Sequence, residues 1–392
     1  MKRKKSTTPC ELIPYRFCGI PSECDAVLEA KTFGCCRYLW NRMLGDRNTL
    51  YQEIGSIPNN TPADYKDLDE CLWLNEIDSL ALANVFLNLQ DAFDRFFKGT
   101  SRYPKFKSKK WAKKSYTTNA VYGKSKKGNV TCNIKLDETA GTLKLPKHKD
   151  LIKLIVHRPI RPGGKLKSVT VTLEPDGKTY YSILMEYPKQ IVTKTKPTYC
   201  IGLDMSLPKL YVDSNGKSPD FPKPYRKMEA KIAQEQRKLS RKKPGSKRYE
   251  KQRVKVAKLL ARAKHQRSDI LHKISCALTD EYDLIAIEDL DMAAMKQSLK
   301  FGKSVSDNGW GMFTDMLEYK AERKGKTIVK IDKWFPSSKT CIACGHIHKE
   351  LHLSDRTYIC PKCGHMMDRD VQAAQNILDE ALRMLNADAS AA

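Results

Sequence analysis

Apolar positions change their spacing several times along this chain. From about Ser22 to Asn48, Val27, Leu28, Phe33, Tyr38, Leu39 and Met43 recur at helical steps. A polar, proline-bearing stretch (SIPNNTPADYKD) follows, and a second helix is predicted from about Asp78 to Lys98. Asp78 or Ser79 can cap it and Gly99 can end it. Its apolar face is Leu82, Val85, Phe86, Leu89, Phe93, Phe96 and Phe97. From Asn129 to about Tyr187 the period falls to two. TCNIKLD, GTLKLPK, IKLIVHR, SVTVTL and TYYSILMEY read as strands, and Asp176-Gly177 form the tip of a hairpin. A small antiparallel barrel is expected there. After the linker PKQIVTKTKPT, the stretch 198–216 reads strand, tight turn, strand. A helical pattern from Lys223 to Lys273 is split at Pro244-Gly245. YDLIAIEDL and TIVKID are two further strands, and an amphipathic helix runs from about Asp370 to Leu385.

Charge changes the reading of two of these segments. The 392 residues hold 71 Lys+Arg against 45 Asp+Glu, a net charge of +26. With 41% hydrophobic residues the chain can build cores, so it is not a disordered basic tail. The excess is clustered. Lys98–Gly128 carries 11 Lys/Arg and no acid, interleaved with Tyr103, Phe106, Trp111 and Tyr116. Lys223–Lys273 carries 19 Lys/Arg and 4 acids. Cations displace counterions from phosphates, and aromatic rings stack on bases. Both tracts are therefore expected to lie on nucleic acid, through Lys105, Lys107, Lys109, Lys110, Trp111 and Lys113 in the first and Arg237, Arg241, Lys242, Lys243 and Arg248 in the second. A solvated basic face is the competing reading of each.

No apolar run reaches the roughly 18 residues of a membrane span, and MKRKKSTTPC lacks the apolar stretch of a signal peptide. An intracellular protein is expected, with no membrane partner. Of 13 cysteines, four stand apart: Cys341 and Cys344 form one CxxCG, Cys360 and Cys363 another, with 15 residues between. Two such turns present four thiolates to one ion, the pattern of a closed, structural zinc site.

Three acids suit phosphodiester hydrolysis. Two divalent metals roughly 4 Å apart need carboxylates converging from separate elements, one ion activating water and the other stabilising the leaving oxygen. Asp204 is a lone acid in the apolar strand CIGLDMSL, Glu288 ends LIAIEDL, and Asp370 opens the last helix. Burying such acids is costly without a cation nearby. Asp204 could instead be a turn residue. Asp289 and Asp291 compete with Glu288, Asp289 as a cap of the strand-to-helix turn. Asp368 competes with Asp370, and either could be the helix N-cap.

Several stretches resemble the TnpB family, the RNA-guided nucleases encoded by insertion sequences and related to type V CRISPR effectors. They are KTFGCCRYLWN, FFKGTSRYPKFKSKK, IGLDMSLPKLYVDSNG, IAIEDL, WFPSSKTCIACG and CPKCGHMMDRDVQAAQNIL. The resemblance implies an α+β multidomain protein. Residues 1–21 would be a first wedge segment, 22–128 a helical recognition lobe with the basic aromatic tract, and 129–190 the β-barrel wedge. Residues 198–392 would be an RNase H-like RuvC domain, including the basic hairpin 223–276 and an inserted zinc ribbon 336–366. It implies a triad of Asp204, Glu288 and Asp370 holding two Mg²⁺, a structural Zn²⁺ on the four cysteines, a guide RNA and a target double-stranded DNA. The second acid of DRD is the family's catalytic one, which favours Asp370 over Asp368. A monomeric ribonucleoprotein in a prokaryotic cytoplasm is the corresponding expectation. Pro208 and Gln372 depart from the common Lys and Asn, and neither removes a triad acid. The rival readings are a compact type V CRISPR effector, a transposase acting on DNA ends, and a repressor that binds without cutting.

Overall fold

The computed structural model describes residues 9–55, 60–124, 130–189, 192, 196–292, 294–295, 308–352 and 355–391. The chain divides into two units at residues 190 and 191. Most of the linker between the sheet-forming segment and Thr198 lies outside the described residues.

The first unit is built on a seven-stranded antiparallel sheet. Its strands are β1 (Cys10–Ile20), β2 (Lys114–Asn119), β5 (Lys135–Asp137), β6 (Thr142–Lys144), β7 (Ile152–Ile155), β8 (Lys165–Leu173) and β9 (Thr179–Pro188). The order is β2-β8-β9-β1-β7-β6-β5. The short strands β3 (Tyr122–Lys124) and β4 (Val130–Cys132) pair separately. The β8–β9 hairpin turns at Gly177, whose φ of 86° suits glycine.

Two expectations are corrected here. The sheet ends at β2 and β5, which do not pair, so it is open rather than a closed barrel. Its edge strand β2 also comes from within the stretch expected to be helical and basic. Helices α1 (Glu23–Ile54) and α3 (Ser79–Phe97) pack together and against β2; the short α2 (Pro62–Lys66) lies between them in sequence. Phe33, Leu39, Trp40, Leu82 and Leu89 share one core with Phe17, Val169, Val171, Tyr181 and Ile183. Strand β9 supplies that core by strict alternation: Tyr181, Ile183, Met185 and Tyr187 are buried.

A buried polar knot ties α1 to the sheet. The Glu29 carboxylate accepts from the Tyr181 hydroxyl at 2.5 Å and faces His148 Nε2 at 3.3 Å. His148 Nδ1 lies 3.3 Å from the Pro146 carbonyl. Asp25 accepts the amides of Lys149 and Asp150. Burial lowers the pKa of His148, but the Glu29 and Pro146 hydrogen bonds and the charges of Glu29 and Asp25 outweigh it, and the net shift is upward. A histidine whose folded pKa is raised contributes stability fully below its unfolded value of about 6.5, and loses that contribution as pH rises through the folded value. The difference in melting temperature between wild type and His148→Gln is therefore expected to be largest in mild acid and to shrink toward alkaline pH. A difference that stays constant across such melts would refute this.

The second unit holds a four-stranded sheet ordered β11-β10-β12-β13. Strands β10 (Cys200–Ser206) and β11 (Leu210–Asp213) are antiparallel. Strands β12 (Leu284–Glu288) and β13 (Thr327–Ile331) continue it in parallel. Alternation sorts the side chains into two faces. Ile201, Leu203, Ile285 and Ile287 pack against Leu271 and Leu278 of α5 (Lys247–Glu281) and Trp310, Phe313 and Leu317 of α6 (Trp310–Lys324). Leu284, Ala286, Val329 and Ile331 pack against Ile377 and Ala381 of α7 (Arg369–Ala391). The sheet thus has helices on both faces, as its parallel strands require.

Helix α4 (Pro224–Ser240) pairs with α5 across the turn that contains Pro244 and Gly245. Between them, buried Glu235 receives Lys238 at 2.9 Å, Lys255 at 3.1 Å and Gln252 at 2.7 Å. Strands β14 (Thr357–Ile359) and β15 (Met366–Asp368) form a small hairpin before α7.

Candidate active site

Strand geometry places the first two acids together. In the parallel β10–β12 pair, Gly202 lies opposite Ala286 and Leu203 opposite Ile287. Asp204 and Glu288 each follow by one residue. By the two-residue period they share the face that carries Leu284 and Ala286, the face covered by α7. Gly202 lies on that face too, and there α7 approaches as close as backbones can. A Cβ built on Gly202 would stand 2.1 Å from the Ala374 carbonyl oxygen and 2.9 Å from Leu378 Cβ. That contact sets α7 one turn past Asp370 and so delivers the third acid.

The helix N-terminus separates two tasks between neighbouring aspartates. Asp368 Oδ1 accepts the amides of Asp370 at 2.9 Å and Val371 at 3.1 Å, which is the capping role. The Asp370 carboxylate is left for the site, with Arg356 at 3.9 Å. The three acids form one electrostatic group. Burial, then the charges of Glu288 and Asp370, push the Asp204 pKa well above the carboxylate range, against a smaller lowering by Arg369. Burial also raises Glu288, opposed by a hydrogen bond from Ser337. The ligand atoms of the three do not all fall within 4.8 Å of one another. A single ion would need tighter convergence; two ions about 4 Å apart spread their ligands more widely.

Residues that the sequence pattern did not single out hold this arrangement. Ser337 Oγ donates to Glu288 Oε1 at 2.6 Å. Asn376, one and a half turns beyond Asp370 on α7, donates to the carbonyls of Ser337 and Thr340, both at 2.7 Å. Gln375 reaches the Ser214 carbonyl at 3.2 Å. Ser337 and Asn376 lie inside conspicuous motifs, but nothing in their spacing announced a contact across the sheet. The Gln372 amide is fully buried with no hydrogen-bond partner among the described residues.

The four cysteines converge: Cys341, Cys344, Cys360 and Cys363 bring their sulfurs within 4.8 Å of one another. Cys341 and Cys363 stand 3.7 Å apart, Cys344 and Cys360 3.6 Å.

The basic residues divide between the units. In the first, the tract is strapped to α1 rather than loose. Trp40 Nε1 donates to the Lys105 carbonyl at 3.1 Å, and Asn41 exchanges hydrogen bonds with the Lys107 backbone at 2.7 and 2.9 Å. The Lys107 ammonium lies 3.5 Å over the Trp40 ring while the residue as a whole stays exposed. Lys109, Lys110 and Lys113 are exposed, and Trp111 is 81% exposed. In the second, Arg237, Arg241, Lys243 and Arg248 are exposed near the α4–α5 turn and Lys242 is half-buried. None of the described helices is long and apolar enough to cross a membrane.

Comparison with known proteins places the chain among relatives. Residues 310–377 match the family described as "Cas12f1-like, TNB domain", and 182–299 one described as "Probable transposase". Residues 15–56 match a "Helix-turn-helix domain", although the structure there is the end of β1 and one unbroken helix. A Streptomyces pristinaespiralis protein named "Putative RNA-guided DNA endonuclease" is 34% identical over 375 residues, covering 94% of this chain and 88% of its own. The "Putative RNA-guided DNA endonuclease InsQ" of Escherichia coli (strain K12) is 29% identical over 368 residues, covering 88% and 86%. Among solved structures, the cryo-EM structure of a Cas12f1–sgRNA–target DNA complex has a TM-score of 0.54 at 14% identity, over 90% of this chain and 82% of that one, a likeness of fold. With a relative so similar over nearly its whole length, the chain belongs to the TnpB family.

Proposed function

We propose that the chain is an RNA-guided DNA endonuclease of the TnpB type, cutting by metal-dependent hydrolysis at Asp204, Glu288 and Asp370. The observation that carries this reading is that Asp204 of β10 and Glu288 of β12 share the sheet face on which α7, the helix that bears Asp370, packs. Acids held together, with Asp204 and Glu288 pushed upward, are a poor arrangement for an empty site and a good one for cations. Bound Mg²⁺ would supply Lewis acidity to the scissile phosphate and its attacking water. The chain's own part is placement. Ser337 fixes one oxygen of Glu288, Asp368 takes the capping amides from Asp370, and Gly202 admits the helix that carries Asp370. This is a RuvC-like, RNase H-like assignment of the second unit.

The cysteine cluster fits a structural zinc. Thiolates bound tetrahedrally at ~2.3 Å stand about 3.8 Å apart, close to the two separations above. Four sulfurs fill the coordination sphere, so the ribbon shapes the approach to Asp370 rather than reacting. The helical part and sheet of the first unit serve in this reading as recognition lobe and wedge, and the exposed basic residues follow guide RNA and target DNA by backbone charge and shape. The protein acts as a single copy in a cytoplasmic ribonucleoprotein.

The test begins with expression of the gene with its native flanks and sequencing of the RNA that co-purifies. Mg²⁺-dependent cutting of a DNA library that matches this RNA, abolished by ribonuclease treatment before target is added, is expected. Bound RNA without cutting would favour the repressor. Activity on transposon ends with no RNA bound would restore the transposase.

A further inference from the structure

At the carboxyl ends of β12 and β13 lies a cavity of about 310 Å³ lined by Asp289, Leu290, Asp291, Asp332, Lys333 and Trp334. Asp289 directly follows Glu288, and Ile331, the register partner of Glu288, directly precedes Asp332. Trp334 is 81% exposed, among the most exposed large apolar side chains of the described residues. An indole left in water is costly, yet its backbone is held firmly. Its amide donates to Asp332 Oδ1 at 2.7 Å, the Phe335 amide donates to the Asp332 carbonyl at 3.0 Å, and the Asp289 amide donates to the Ile331 carbonyl at 3.0 Å. The Lys333 ammonium lies 5.3 Å from the ring centroid. The ring is thus presented on a fixed turn whose continuation, Ser337, touches Glu288.

The charges select the occupant. Three carboxylates, Asp289, Asp291 and Asp332, outnumber the lining cation Lys333 and, even with Lys330 3.9 Å from Asp289, disfavour a phosphate, while their oxygens accept from the amino and imino groups of a base edge. A flat ring beside acceptors suits an unstacked nucleobase. We propose that this pocket takes one base of the DNA strand being cut, stacked on Trp334, and so seats the neighbouring phosphate at the acids. The proposal rests on the nuclease reading above and adds to it a residue that positions the substrate strand.

The test uses the purified ribonucleoprotein in two arms. In the first, single-turnover cutting of matched DNA is compared for wild type, Trp334→Ala and Trp334→Phe. Loss of a base stack predicts a rate about 5- to 150-fold lower for the alanine variant, with target binding unchanged and most of the rate regained with phenylalanine. In the second, complexes that also carry Asp204→Asn, and so leave the strand intact, bind single strands with 2-aminopurine at successive positions. One position should be quenched by Trp334, retained with phenylalanine and released with alanine. Equal rates, or the same emission profile in all variants, would overturn the pocket while leaving the nuclease reading intact. A wild-type complex that cuts nothing would sink the nuclease reading, and the emission arm would still decide whether Trp334 stacks a base.

Discussion

Asp204→Asn should abolish cutting and stabilise the protein at once. The substitution keeps the shape of the side chain and removes its charge. Cutting should fall by at least about a thousandfold, the scale on which a member of a cooperating constellation is lost, while guide-dependent target binding persists. Stability should move the other way. An acid whose folded pKa is raised costs stability wherever it must ionise, and Asp204 is raised by burial and by the charges of Glu288 and Asp370. Asparagine meets neither repulsion. In metal-free buffer the variant should therefore melt above wild type, a trade of stability for activity. Added Mg²⁺ should raise the melting temperature of wild type more than that of the variant, since a ligand stabilises only the state that binds it. Residual cutting within tenfold of wild type, or a lower metal-free melting temperature, would contradict this account of the site.

The second large effect comes from a residue with no functional group. Gly202→Ala places a methyl group where the Ala374 carbonyl oxygen lies 2.1 Å away. The obstacle is helix backbone, which cannot rotate aside, so α7 must shift. Overpacking of this kind costs about 1–3 kcal/mol, measurable by denaturant unfolding. The shift also carries Asp370 away from Asp204 and Glu288, and a misplacement of about 1 Å lowers rate roughly a hundredfold. The activity loss should persist under conditions where the variant remains fully folded. Gly34→Ala is the contrast: on α1, its added carbon meets nothing within 4 Å and should stabilise the helix slightly. Full activity in folded Gly202→Ala would mean that α7 tolerates displacement without loss of function.

Much of this architecture could be read locally, because the relevant signals are local. The alternation in SVTVTL and TYYSILMEY gives β8 and β9, and Asp176-Gly177 marks their turn. A lone acid inside one apolar strand marks Asp204, an acid ending another marks Glu288, and the paired CxxC turns mark the sulfur cluster. What escaped depends on contacts between distant segments. Strand β2 follows a lysine-rich tract and alternates mostly hydroxyls and amides. Its burial is made possible by Thr118 donating to Asp78 and by Tyr116 packing with Phe33, neither visible in its own residues. Whether a sheet closes depends on its two edges meeting, and no residue of β2 or β5 encodes that. The choice between Asp368 and Asp370 was likewise undecided by local pattern, since both residue types cap helices; the amides that Asp368 accepts settle the capping role. Ser337 belongs to the site through its hydrogen bond to Glu288, a contact between segments 49 residues apart that no local pattern carries.

The two strand acids and the helix acid are also far apart in the order of synthesis. A ribosome makes β10 and β12 first, then β13, the cysteine-bearing ribbon and only afterwards α7. At ~5–20 residues per second, on the order of ten seconds pass between Glu288 and Asp370. During that interval a nascent chain can form the core of its sheet but has no complete set of acids. On the proposed reading, a chain still being translated therefore carries an unarmed blade until α7 emerges.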